Sequence, residues 1–382
     1  MFHHLLDLQR ASLRPMARFA RELGGLVPWS PAGAFGDWLT RALDAGEPAS
    51  EPIEEALARH WRCEVRATLE HEDAFVRIVR LARPGGPGKG TTLLAGPFSG
   101  YAASVLGQLV GTLLELGEVL VTDWQDARLV PVGAGPYDLA CQTRDMGVAM
   151  ELAGGNAGLV ALSQAGWAAL AALAAAPAAS RPGAVALLGC PIATQSSPVA
   201  LQELVAGMPA ELIAEQVLRV VPDSLPGAGR LVFPSVLQLA AVAGADPLAY
   251  AEIQSGLLLE LMGLVDGGYE SQHRHMHALI DVPGELYLDL AARLRGEKLA
   301  DAAVPAGTWP RRLPLLTVEA ARDSLVGQGQ THGAQRLFGH ADRSARSLTI
   351  EGAEHHDLFL GQLYAARLAP ALARFLAGAQ SE

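Results

Sequence analysis

Between residues 91 and 192 short apolar runs alternate with longer helical segments, and this alternation constrains the fold more than any other feature. TTLLAGPFSG (91–100) is a short apolar strand that ends in Gly and Pro, and YAASVLGQLVGTLLEL (101–116) is a helix. GEVLVTDW (117–124) is a strand and DLACQTRDMGVAMELAG (138–154) a helix. AGLVALSQ (157–164) is a strand running into a helix, and GAVALLGCPI (183–192) is another strand. Strands separated by helices in this way pair in parallel, with the helices as crossovers on the faces of one sheet. Half of the 382 residues are hydrophobic and 18% are charged, so a large core is within reach and global disorder is excluded. The length allows two to three domains, or one large α/β domain with insertions.

On either side of this block the pattern changes. Residues 1–24 and 33–46 read as helices joined by a Pro/Gly-rich link, which gives an N-terminal helical extension over 1–60. Residues 62–82 alternate and are rich in β-branched side chains, as two strands would be, and they open the first part of the core, 61–193. The RPGGPGKG turn that follows resembles a phosphate loop only superficially. Arg83 stands where the first glycine belongs, Gly90 follows Lys89 where Ser or Thr is needed, and the segment precedes a strand. From 194 to 304 the β pattern stops, and this mostly helical stretch reads as an inserted lid. Strand-like runs return in LPLLTVEAARD and SLTIEGAEHH, and a closing helix completes the second part of the core, 305–382.

The formal net charge of -11 and pI near 5.5 argue against a nucleic-acid protein, which would carry a basic face. Cys63, Cys141 and Cys190 are few, odd in number and far apart, which fits a reducing compartment and excludes a disulfide framework or a zinc ribbon. The first residues carry charges every few positions and lack the apolar core of a signal peptide. The alanine-rich stretch 158–179 is the nearest approach to a membrane span, but it reads as a strand followed by a buried helix. A cytoplasmic protein without a transmembrane segment is expected.

Ester cleavage by a serine needs three groups. The hydroxyl needs a base, the base is an imidazole, and a carboxylate fixes its tautomer and stabilises its cation. In α/β-hydrolases the order along the chain is Ser, then Asp or Glu, then His, each just after a strand. Ser163 follows AGLVAL, Asp323 follows LPLLTVEAAR and His355 follows SLTIEGAE, so all three fall at strand carboxyl ends. The usual elbow is G-x-S-x-G. Here it is A-L-S-Q-A-G, with Ala161 and Ala165 as the small neighbours and Gly166 one place late. The two oxyanion donors expected are the backbone N–H groups of Gln164 and of Phe98 in the GPFSG loop.

The chain resembles the intracellular polyhydroxyalkanoate (poly-3-hydroxybutyrate) depolymerases. The resemblance runs through LLDLQRASLRPMARFA, LLAGPFSGYAASVL, VLVTDWQDARLVPVGAG, the elbow ALSQAG, LLGCPIAT, HRHMHALIDVPGELYLDL, LLTVEAARDSLVGQGQT and EGAEHHDLF, in that order and over nearly the whole length. It implies an α/β-hydrolase fold with a largely helical lid, a substrate in stored polyester granules or hydroxyalkanoate oligomers, and no cofactor or metal. It also implies that His355 is the base. The elbow departs from the family's A-V-C-Q-P, with Ser163 in place of cysteine and no proline following. Relatives read GHYG where this chain reads EHHD, so His356 stands beside His355 as a second candidate base.

Plainer readings attach to the same residues. Ser163 suits a helix-lining hydroxyl, Asp323 suits a cap on a helix that follows it, and the histidine doublet suits a surface. Asp126 suits a turn. His273 and His277 share a helix face and invite a metal, but nothing at convincing spacing completes the site, so a polar helix face is expected. Cys190 reads as a small buried hydrophobe. Two alternatives to polyester cleavage stand: an esterase for small soluble esters, and a non-catalytic granule-associated protein.

Overall fold

The computed structural model describes residues 2–27, 30–44, 52–85, 90–100, 102–297, 313–337 and 345–379. In chain order the strands begin with β1 Arg66–Glu72, β2 Val76–Ala82, β3 Thr91–Ala95, β4 Glu118–Trp124, β5 Gly158–Leu162 and β6 Ala184–Leu188. They continue with β7 Arg219–Val220, β8 Leu231–Phe233, β9 Val282–Pro283, β10 Leu315–Ala320 and β11 Ala345–Ile350. Eight of them form one sheet in the order β1-β2-β4-β3-β5-β6-β10-β11. The pairs β1–β2 and β2–β4 are antiparallel, and every later pair is parallel.

The sequences of these strands follow from their places. β5 (GLVAL) and β6 (AVALL) lie in the middle of the parallel region and are buried at every position, because helices cover both faces of such a sheet. Successive residues point to opposite faces, so Leu159 and Ala161 join one core cluster while Val160 and Leu162 join the other. β1 is an edge strand and is largely exposed, with charged residues at three of its seven positions. One core includes α5 Leu139–Ala153 and the alanine-rich α6 Ala165–Ala175. The other includes α3 Ile53–Trp61, α4 Ala102–Leu113 and the C-terminal helix Ala369–Ala379.

Before α3 stand α1 Phe2–Leu26 and α2 Ala32–Asp44, which pack together as a hairpin. Between β6 and β10 lie α7 Ala200–Ala206, α8 Ala210–Gln216, α9 Ser235–Ala245, α10 Pro247–Leu261, α11 Tyr269–His277 and α12 Gly284–Leu294. The sequence reading of 194–304 missed β7, β8 and β9, which form a second, antiparallel sheet of three strands. The N-terminal hairpin packs against this region, through α2 on α10 and through Arg41 Nη1 to Glu270 Oε1 at 2.8 Å.

A buried ionic cluster joins the inserted region to the core. Arg128 Nη2 donates to Asp126 Oδ2 at 2.6 Å, and its Nε stands 3.4 Å from Asp281 Oδ1. Asp281 also accepts from Ser235 N at 2.8 Å, and its backbone carbonyl accepts from Ala127 N at 3.1 Å. Burial pushes the Asp281 carboxyl up to about 6 and nearby Asp126 adds to this, against the pull of Arg128. Asp126 also caps the short turn Ala127–Leu129 through Arg128 N, so the turn expected at this residue is present.

His273 and His277 overturn the expectation of a polar helix face. His273 is 4% exposed, and the two rings meet at 3.9 Å between centroids. Burial pushes His273 down to about 3, with His277, Arg41 and Arg274 adding repulsion, and burial pushes His277 down to about 4. Both rings are therefore neutral when folded, but they take up protons near pH 6.5 when unfolded. Their contribution is intact above about pH 6.5 and is lost as the pH falls toward 4 and then 3, by about 1.4 kcal/mol per proton per pH unit. Thermal unfolding followed from pH 7 to pH 4 is expected to show the melting temperature dropping steeply below pH 6. The drop becomes shallower in a His273→Leu/His277→Leu variant; equal slopes in the two proteins would refute this account.

Candidate active site

Ser163 stands immediately after β5 with φ of 50°, in the left-handed region that a residue with a side chain rarely occupies. This is the sharp strand-to-helix elbow that presents a side chain above a parallel sheet. The turn is held on both sides. Ser163 N donates to Leu188 O of β6 at 3.0 Å, and Gly166 N donates to Ser163 O at 3.1 Å. Crowding explains the small residues. Ala161 and Ala165 are wholly buried, and a Cβ on Gly166 would lie 2.7 Å from Cys190 Cβ and Sγ. The glycine thus falls one place later than the usual pattern because α6 meets Cys190, two residues past β6, there.

His355 follows β11 in a short 3-10 turn, His355–Leu358, and is buried. Its Nδ1–H donates to Asp323 Oδ2 at 2.7 Å. The other Asp323 oxygen accepts from Leu325 N and Val326 N, each at 2.8 Å. Burial alone would push the Asp323 carboxyl up, but His355 and these two N–H groups outweigh it and hold the carboxyl below its ordinary range. No helix starts directly after Asp323, so the helix cap expected there is instead a turn closed by one carboxyl oxygen, while the other oxygen holds His355. Of the histidine doublet, His355 is the ring on Asp323. His356 beside it is pushed down to about 4, by burial and by the charge of His355.

Two supports were not singled out in the sequence. Gly189, with φ of 55°, follows β6, and a Cβ there would come within 3.0 Å of His355 Cε1 and 2.9 Å of Leu358 Cδ1. A side chain here would crowd the His355 ring. The signal was a glycine directly after the apolar run AVALL. Glu319 is buried in β10 and accepts from Gly329 N and His332 N at 2.8 Å each, folding back the loop that carries Asp323. The signal was a single charge inside LLTVEA. Ser163, Gly189, Asp323 and His355 thus sit beyond the carboxyl ends of β5, β6, β10 and β11, which are consecutive neighbours in the sheet.

Phe98 follows β3 and is wholly buried, its ring stacked on Trp124 at 5.3 Å between centroids. Trp124 Nε1 in turn donates to Gly96 O at 2.9 Å. The loop is pinned from above, where Ile280 N donates to Ser99 O at 3.1 Å and Gly100 bridges Leu279. The side-chain amide of Gln164 is buried without a hydrogen-bond partner. Cys190 is wholly buried and its thiol is pushed far up by burial, so it behaves as the small hydrophobe expected. Lys89 of the glycine-rich turn lies outside the described residues. Among the described residues no group of three or more His, Cys, Asp or Glu could hold a metal ion.

A cavity of about 830 Å³ opens beside this site. His355 and His356 form part of its wall, and Tyr250, Met276, Leu325 and Leu360 supply aromatic and apolar surface.

The strand order and the elbow define an α/β-hydrolase. BpoC from Mycobacterium tuberculosis H37Rv superposes with a TM-score of 0.51 at 13% identity, over 82% of this chain and 99% of that one. A monoacylglycerol lipase from Paleococcus ferrophilus (TM-score 0.47, 16% identity, 79% and 99% covered) and carboxylesterase CesB from Bacillus subtilis (0.47, 13%, 85% and 96%) are also similar. Residues 189–380, half of the chain, match the family described as PHB de-polymerase C-terminus, and the chain belongs to that family. No curated protein matches the sequence. Ester hydrolysis is the chemistry that goes with this family.

Proposed function

We propose that the protein hydrolyses the ester bonds of poly-3-hydroxybutyrate or its oligomers, at the surface of polyester granules, through an acyl-enzyme on Ser163. The observation that carries this reading is Ser163 at φ of 50° beyond β5, with the 2.7 Å His355–Asp323 pair beyond β10 and β11. Ser163 Oγ attacks the ester carbonyl while His355 Nε2 takes its proton. Asp323 holds the Nδ1–H tautomer and stabilises the imidazolium. Backbone N–H groups of Gln164 and Phe98 receive the oxyanion. The C–O bond then breaks, and His355 returns the proton to the departing alkoxide. Water, deprotonated by His355, then attacks the acyl-serine; its acyl–Oγ bond breaks, His355 returns the proton to Ser163 Oγ, and the acid leaves as a carboxylate. The pinning of the GPFSG loop supports the role of Phe98, since preformed donors need no reorganisation during reaction.

Amorphous poly-3-hydroxybutyrate granules are the substrate that tests this. Soluble hydroxybutyrate products are expected from the wild type, and Asp323→Asn is expected to lower the rate by about 10⁴-fold through the wrong histidine tautomer. Turnover of p-nitrophenyl esters with none on granules would keep the hydrolase and remove the polymer.

A further inference from the structure

The cavity beside His355 has an unusual charge for a site that takes a neutral polyester. Asp246, Asp266, Glu354 and Asp357 all line it, and no Lys or Arg does among the described residues. Asp246 caps α10 through Ala249 N, and Asp357 Oδ2 accepts from Glu354 N at 2.8 Å. Exposed Arg322 pairs with Glu354 at 3.1 Å, which offsets one of the four charges. Burial pushes the Glu354 carboxyl up, Arg322 pulls it down, and Asp246, Asp323 and Asp357 each push it further up, so these carboxylates share one field.

The chemistry says which half of the substrate meets that field. His355 gives its proton to the departing alkoxide, so the leaving alcohol lies on the side that His355 faces. In a 3-hydroxybutyrate polyester the leaving fragment runs from the cut toward the carboxyl terminus. Cleavage one unit from that terminus expels 3-hydroxybutyrate itself, with a free carboxylate a few bonds from the departing oxygen. Cleavage inside the chain places an uncharged ester carbonyl at the same point. Resting on the function proposed above, we infer that the cavity is an anion-excluding leaving-group site, which selects internal or esterified units and rejects those that end in a free carboxylate.

The 3-hydroxybutyrate dimer and its methyl ester test this as a pair, through release of the leaving alcohol in each case. At pH 7.5 kcat/KM is expected to favour the methyl ester by about tenfold or more, because like charges brought together in a binding site are strongly disfavoured. High salt screens exposed carboxylates, so the ratio falls as salt is added. The Asp246→Asn/Asp266→Asn variant lowers the ratio by about threefold or more at low salt; asparagine still caps α10. Equal kcat/KM for the two compounds, or a ratio that neither salt nor the variant moves, overturns the inference and leaves the hydrolase standing. Failure to turn over either compound overturns the inference, while the granule assay decides the function separately.

Discussion

Replacing Ser163 by alanine is expected to lower ester turnover by about 10⁴-fold or more while leaving the melting temperature nearly unchanged. The substitution removes one half-buried hydroxyl and keeps the Cβ, so the backbone at φ of 50° is under the same constraint in both proteins. Residual activity comes only from whatever the oxyanion donors and substrate binding achieve without a nucleophile. In the function proposed above Ser163, His355 and Asp323 act as one unit, so adding His355→Ala to the serine variant should cost little more. Initial rates on a p-nitrophenyl ester measure the loss, and a fluorophosphonate probe reports whether the labelled peptide contains Ser163. A variant that keeps more than about a tenth of the activity, or labelling elsewhere, would remove Ser163 from the chemistry.

Arg128→Met is expected to cost about 3–5 kcal/mol of folding stability, a large share of the roughly 5–15 kcal/mol that a domain possesses. The arginine is the cation between two carboxylates whose side chains are fully shielded from solvent. Removing it leaves Asp126 and Asp281 facing each other without compensation, and one of them must take up a proton in order to stay buried. Urea unfolding would report the loss as a lower midpoint. Replacing all three residues by apolar side chains of similar volume should recover much of it, because the cost lies in the uncompensated charge rather than in the lost pair. A loss under about 1 kcal/mol would mean that water reaches the cluster.

What the sequence disclosed and what it hid divide along physical lines. The parallel core was legible because each strand from 91 to 192 is followed by a glycine, a proline or a polar turn and then by a helix. Ser163, Asp323 and His355 were legible as post-strand residues in the right order. The elbow was legible in A-L-S-Q-A-G, but its strain was not, since that is a dihedral angle, and nothing local shows that Cys190 is what crowds the glycine at 166. β7, β8 and β9 have two or three residues each, too few to establish a period. The pairing of Arg128 with Asp281 spans about 150 residues of chain, and no local pattern announces it. His273 and His277 look like a polar face by composition; their burial comes from the helices packed around them.

The sheet order also sets a schedule for synthesis. β6 pairs on one side with β5, which precedes it, and on the other with β10, which is more than a hundred residues downstream. At about 5–20 residues per second, a ribosome leaves AVALL, buried at every position in the finished protein, with one open edge for roughly 6–25 s. An unpaired apolar strand edge is a template for joining another chain. The interval in which this protein is most exposed to aggregation is therefore the one in which its inserted region is being made, and its length follows directly from the length of that insertion.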